Sequence, residues 1–405
     1  MKIRSITVFL NPRWPSPQEA LARAGAFITA ARPAFESAGY EVQTSRLATV
    51  PFQQLGASWV QAGAVGQAQV LEKEALAHGF DYLSLGPATP VAPGSYAVIP
   101  EMLASTTIVF LSGVMALPGA GLSLPGVRAC AEIIHRVAGL DPNGFANLRF
   151  AALANVPPGS PFFPASYHVG NEPAFALATE AADLAVTAFD GASSLEQARQ
   201  RLVAALDYHG RALLGVAEPL AGKFGLEFGG IDFSLAPFPQ EAHSLGTAFE
   251  RLGLPAVGMH GSLAAAAFLA DTIDRADFPR AGFSGLMLPV LEDSVLAQRA
   301  AQGLLGVNDL LLYSAVCGTG LDTVPLPGDT SVEQLQAVLL DVAALAQRLE
   351  KPLTARLMPV PGKAAGDPTG FDFPYFANSR VLALNAQPLS GLLAGEETIA
   401  LQRRK

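Results

Sequence analysis

Three things are scarce in this 405-residue chain: cysteine, charge and long unbroken apolar sequence. There are 2 cysteines, Cys130 and Cys317, with no CxxC spacing, which excludes a disulfide scaffold and a cysteine-built zinc centre. Charged residues make up 15% of the chain, against a typical share of about 25%. The net charge is −9 and no basic cluster occurs before Arg403-Arg404-Lys405, so the electrostatic footprint of a nucleic-acid binder is missing. The longest uncharged stretch, 102–127, is broken by Gly113, Pro118, Gly119, Gly121, Pro125 and Gly126. It reads as a buried strand and a glycine-rich loop, and not as a membrane span. The first ten residues read as a strand. Their apolar run is too short for a signal peptide and no small-residue cleavage pattern follows, so we expect a cytoplasmic protein with no membrane partner.

What is plentiful is apolar sequence, at 50% of residues and a mean hydropathy of +0.32. Either the core is large, as in a barrel wrapped by helices, or part of the surface is buried on another subunit; we expect a homo-oligomer. No repeat, low-complexity segment or linker divides the chain, so residues 1–405 read as a single α/β barrel domain.

Short apolar runs alternate with longer amphipathic ones, the pattern of βα units. Strands are expected at 3–10, 40–46, 82–85, 107–111, 149–154, 225–235, 283–289, 309–316, 353–358 and 380–384. Helices are expected at 172–187, 194–217, 262–273, 292–303 and 331–349, the last opened by Thr330 or Ser331 with Glu333 and Gln334 in capping positions. The first helix opens on Ser16 as N-cap, with Pro17 at the first helical position and Glu19 closing a capping box. About ten strands fit a closed α/β barrel better than an open six-stranded sheet.

Four segments carry candidate chemistry. The loop 317–329 follows an apolar run, Leu310-Leu311-Leu312-Tyr313, and offers Cys317, Asp322 and Asp329 beside Gly318 and Gly320, which let a backbone approach a ligand. Cys317 is either a nucleophile served by His168 or His260, or a small core residue; Asp329 is either a ligand or a helix cap. A second segment places His168 just before a helix, and His260 sits in a similar loop. In the third, Glu227 and Asp232 lie inside an apolar strand, where a carboxylate is costly unless paired, hydrogen-bonded or metal-bound. The fourth offers Arg356 and Lys363 as anion contacts and Asp372 as an oxygen ligand; its bland reading is a loop over a barrel mouth.

The runs Val-Cys-Gly-Thr-Gly-Leu-Asp-Thr-Val-Pro-Leu-Pro-Gly-Asp from Val316, Arg-Leu-Met-Pro-Val-Pro-Gly-Lys from Arg356 and Phe-Asp-Phe-Pro-Tyr-Phe from Phe371 resemble a known family. It is the domain of unknown function numbered seven-eleven, also labelled "PFL family protein". The resemblance runs over nearly the whole chain, from Ile3-Arg4-Ser5-Ile6-Thr7. It implies a fold similar to pyruvate formate-lyase: a ten-stranded α/β barrel surrounded by helices, with a central finger loop that would here be the Cys317 loop. The glycyl-radical motif of that enzyme is not matched by Gly391-Leu392-Leu393-Ala394-Gly395-Glu396, so no glycyl radical is expected. Small ACT-type neighbours of some relatives hint at amino-acid-related ligands.

Two readings follow. In the first, the protein is an enzyme acting on a small anionic, amino-acid- or keto-acid-like substrate by acid/base chemistry, with or without a divalent metal. Asp322, Cys317, His168 and His260 would be catalytic, and Arg356, Lys363, Gly318 and Gly320 would hold substrate. Asp232, Glu227, Asp329 and Asp372 would hold the metal. In the second, the same pocket senses a metabolite without turnover. Either way, His168, Asp232, Cys317, Asp322 and Asp372 are expected around one cavity.

Overall fold

In the computed structural model, which describes residues 1–15, 17–60 and 63–403, eleven strands form one mixed sheet with helices packed on it. The strands are β1 (Lys2–Leu10), β2 (Val42–Pro51), β3 (Tyr82–Gly86), β4 (Val109–Leu117), β5 (Gly121–Ser123), β6 (Phe150–Ala154), β7 (Ala174–Glu180), β8 (Glu227–Ala236), β9 (Gly320–Pro327), β10 (Leu353–Val360) and β11 (Thr398–Ile399). The main path runs β8-β7-β1-β2-β3-β4-β6-β10-β9, with β5 and β11 attached at β4.

Strands β1, β2, β3, β4 and β6 are parallel. Parallel neighbours need crossovers, and the helices Gln18–Ser37, Ala64–Ala77 and Leu124–Ala138 supply three of them. At one seam β7 meets β1 antiparallel and continues parallel into β8. At the other, β10 meets β6 antiparallel and continues parallel into β9. The two end strands share a neighbour. In the segment 280–291, Ala281 N and Met287 N donate to Ile231 O and Ser234 O of β8, each at 3.0 Å, and Val290 N donates to Asp322 O of β9 at 3.1 Å. Asp232 anchors this segment: its carboxylate accepts from Phe283 N at 2.7 Å, Ser284 N at 2.9 Å and the Ser234 hydroxyl.

Alternation along the strands separates two environments. Ile6 and Val8 of β1, Phe175 and Leu177 of β7, Leu321 of β9 and Leu357 of β10 join the helices in one large apolar core. The opposite face carries small side chains, among them Thr7, Ala48, Ser84, Ala151, Ala178 and Ala236. Segment 157–168 occupies the space they leave. The Ser5 and Thr7 hydroxyls donate to Pro161 O, the Ser84 hydroxyl donates to Ser166 O, and His168 N donates to Thr49 O. Phe162 packs on β7 and β8 through Ala178 and Ala236, and Phe163 on β1, β2 and β4 through Phe9, Ala48 and Phe110.

Several expected elements differ. The run 309–316 is not a strand but part of the helix Val307–Ser314, opened by Asp309 Oδ2 accepting from Gly306 N at 2.9 Å. A short apolar run is ambiguous, and here the cap decides. The expected helix 172–187 begins as strand β7, because an alanine-rich stretch lying between two strands completes their ladders. Most of the expected loop 317–329 is strand β9, so the segment that enters the sheet's inner face is 157–168 and not the Cys317 loop. Residues 380–384 contribute a single bridge between Arg380 and Pro368. The first helix spans Gln18–Ser37, with Pro17 just before it and not at its first position; Ser16, its expected cap, lies outside the described residues. The capping box of Ser331 and Gln334 is present. Among the described residues no helix is long and apolar enough to cross a membrane.

Asp232 generates the first prediction. Asp232→Ala leaves the N–H groups of Phe283 and Ser284 without their acceptor and should destabilise the protein by about 3 kcal/mol in denaturant titration. Burial pushes the Asp232 carboxyl up to about 6 against its hydrogen bonds, while an unfolded aspartate titrates near ~3.9. The folded state therefore holds this proton more tightly, and the group's contribution to stability falls as pH rises from about 4 to about 6. An Asp232→Asn variant should lack that slope.

Candidate functional site

On the inner face of the sheet, beyond Phe162 and Phe163, lies a cavity of about 650 Å³ counted out to its open mouth. Pairing of Thr7 with Arg46 and of Arg46 with Tyr82 places Arg46 and Tyr82 side by side on that face. Arg4 of β1 and Thr44 of β2 stand next to them, while β9 and β10 contribute Asp322 and Arg356 from the other side. Glu292, just past the end of segment 280–291, completes the charged set. Phe110, Phe162, Phe163, Leu148 and Met287 form apolar wall, and Phe373 and Tyr375 stand at the cavity from the aromatic loop after β10.

The charges form a network. Glu292 accepts from Arg4 Nη2 at 2.8 Å through one oxygen and from Arg356 Nη2 at 2.7 Å through the other. Arg356 Nε donates to Asp322 Oδ1 at 2.6 Å. All four side chains are about nine-tenths buried. Burial works against the Glu292 carboxylate, yet Arg4 and Arg356 hold its pKa below the usual range. Burial pushes the Asp322 carboxyl up, with Arg356 opposing, and among the described residues no protein group donates to its Oδ2.

Arg46 stands apart. Its Nε donates to Thr44 Oγ1 at 2.9 Å, and its guanidinium lies 5.6 Å from the Tyr82 ring centre and 5.2 Å from that of Phe163. Among the described residues no carboxylate pairs with it. Burial and then the neighbouring Arg4 bring its pKa down to about 10, so it stays charged near neutral pH. Three guanidinium groups face two carboxylates here, which leaves one uncompensated positive charge.

Of the residues picked from the sequence, Asp322 and Arg356 line this cavity. His168 and Glu227 line a second cavity, of about 1210 Å³ counted in the same way out to its open mouth, at the far end of β1 beside Phe9. His168 is buried there, and burial lowers its pKa. Cys317 lies in the helix-side core, where burial pushes its thiol up and its carbonyl accepts from Lys351 Nζ; that environment suits packing, not nucleophilic attack. Gly318 passes against the backbone of Gly285, and at Gly320 a Cβ would run into the Thr354 carbonyl, so close backbone packing requires glycine at both positions. His260, Asp329 and Asp372 are exposed, Lys363 sits half-buried in the turn after β10, and none of them lines either cavity. Asp232 is satisfied by the N–H groups it holds. Asp232, Glu227, Asp329 and Asp372 therefore do not converge, and among the described residues no group of three or more His, Cys, Asp or Glu is placed to hold a metal ion. The expected convergence of five residues on one cavity is corrected to one of them, Asp322.

Arg4, Arg46, Glu292, Thr44 and Tyr82 were not picked out from the sequence. The signal for two of them was present: Arg4 in Ile3-Arg4-Ser5-Ile6 and Arg46 in Ser45-Arg46-Leu47 are charges inside apolar strands, the same feature that marked Asp232. Glu292 carried no such signal, since it lies outside any strand.

The fold and site define a mixed α/β protein built around a buried arginine–carboxylate cavity. The chain belongs to the family described as "Uncharacterised ACR (DUF711)", whose profile matches residues 1–375. It is 34% identical over 363 residues to a UPF0210 protein of Pyrobaculum arsenaticum, covering 83% of this chain and 78% of that one. A UPF0210 protein of Oleidesulfovibrio alaskensis is 30% identical over 366 residues, with the same coverage of 83% and 78%. One from Neisseria meningitidis is 28% identical over 357 residues, covering 82% and 77%.

The network generates a second prediction. Arg356→Met leaves Glu292 and Asp322 buried together with one cation fewer and should cost about 3–5 kcal/mol of stability in guanidinium titration. Asp322→Asn keeps the acceptor for Arg356 Nε and should cost much less.

Proposed function

We propose that the cavity of Arg4, Arg46 and Arg356 binds a small organic anion of the amino-acid or 2-oxo-acid kind, and that the protein is an enzyme whose Asp322 exchanges a proton with it. The observation that carries this reading is Arg46, a buried guanidinium that no carboxylate among the described residues pairs with, in the same cavity as a carboxylate with one free oxygen. An unmatched buried charge is costly, and a ligand carboxylate would supply the missing counter-charge in the bidentate geometry that guanidinium groups favour. Asp322 suits a general base: Arg356 fixes one oxygen, the other is free, and burial favours its taking a proton. In this reading guanidinium groups, and not a metal ion or a radical, hold and polarise the substrate.

We also read the sheet as a ten-staved barrel like that of pyruvate formate-lyase. Support comes from segment 280–291, which hydrogen-bonds to both end strands, and from segment 157–168, which lies where a finger would. The apolar composition supports a homo-oligomer.

The test follows proton exchange in D2O by NMR with 4-methyl-2-oxopentanoate. Wild-type protein should accelerate loss of the C3 proton signal. Asp322→Asn should bind the acid but slow exchange by about 100-fold or more, and Arg46→Met should lose binding in calorimetry. Exchange that persists in Asp322→Asn would sink the catalytic assignment. Binding without exchange would leave the ligand-sensing alternative for the same cavity.

A further inference from the structure

We infer that the ligand of this cavity is a monoanion with an apolar body, a branched or aryl monocarboxylate, and not a dicarboxylate or a phosphate. The inference rests on the reading of the cavity as an anion site and adds a charge count and a census of free groups. Arg4 and Arg356 are matched by Glu292 and Asp322, so one positive charge, that of Arg46, is left to be compensated. A second negative charge on the ligand would face Glu292 and Asp322 without a cation of its own, and like charges set against each other in a buried site are strongly disfavoured.

Several other polar groups on the wall are already engaged. Thr44 Oγ1 donates to Arg4 O at 2.7 Å and accepts from Arg46 Nε. The Gln43 amide donates to Glu180 Oε2 at 2.5 Å; Glu180 stands behind it and is not part of the wall. Glu292 has both oxygens occupied. What remains for a ligand among the described residues is the outer edge of the Arg46 guanidinium, Nε and Nη1 of Arg4, Nη1 of Arg356, Gln43 Oε1, the Tyr82 and Tyr375 hydroxyls and Asp322 Oδ2. The one unmatched charge among them is that of Arg46, which suits a single carboxylate.

The rest of the wall is apolar, with Phe110, Phe162, Phe163, Leu148 and Met287. A second charged or strongly hydrated end placed there would lose its water without gaining a partner. An isobutyl group or an aromatic ring would instead bury apolar area at about 25 cal/mol per Å².

Titration calorimetry at pH 7.5 separates the outcomes, with three probes: 4-methyl-2-oxopentanoate, 2-oxopentanedioate and inorganic phosphate. The branched monoanion should bind at least about tenfold more tightly than either dianion. Asp322→Asn removes one negative charge while keeping the acceptor for Arg356, and should narrow or reverse that preference. Dianions that match or beat the monoanion in the wild type would overturn this inference and leave the anion site standing. If none of the three binds, the anion-site reading itself fails. Should Asp322→Asn not fold, the wild-type ranking alone still decides.

Discussion

The structure turns on one carboxylate. Glu292 accepts from Arg4 on β1 and from Arg356 on β10, two strands with β2, β3, β4 and β6 between them along the sheet path. A buried ion is tolerated only where its partners satisfy it, so burying Glu292 obliges both arginines to point inward. It also draws residues from opposite arms of the sheet to one place. Asp322 is then held by Arg356 alone, and its second oxygen stays free. Arg46, pressed against the same cluster, gains no partner from it and remains the unmatched charge.

This arrangement depends on the material beneath it. Small side chains on the inner face leave room for segment 157–168, and that segment's aromatic residues floor the charged cavity. Arg4 and Phe9, at opposite ends of β1, line separate cavities. Phe9 is also part of the cluster around Phe163, so low-dielectric packing lies along the strand between them. Charge interactions in such surroundings are stronger than in water, which is why one uncompensated guanidinium has weight here and would have little on the surface.

Asp232 and Asp322 show how similar sequence contexts take different roles. Both are acids inside apolar strands. Asp232 meets backbone N–H groups and becomes an anchor for the segment that touches both end strands. Asp322 meets one guanidinium and keeps an oxygen free. A carboxylate's neighbours, and not its strand, determine which it becomes, and those neighbours arrive from 34 or more residues away.

The sequence by itself determined what is local. Strands at β1, β3, β6 and β10, the capping box at Ser331 and the alternation of strands with helices are all legible, because period and capping chemistry act over a few residues. The motifs from Val316 and Arg356 marked two residues of the cavity, Asp322 and Arg356. Only the tertiary structure decided the rest. Helix Val307–Ser314, strand β7 and strand β9 were misread because short apolar or alanine-rich runs take their state from the ladder or core that receives them. Cys317 looked like chemistry next to its glycines and lies buried in the helix-side core, away from the charged cavity. Arg4, Arg46 and Glu292, separated by 40 to almost 290 positions, share a cavity because the sheet's register and one buried carboxylate bring them together, and no short-range pattern encodes that meeting.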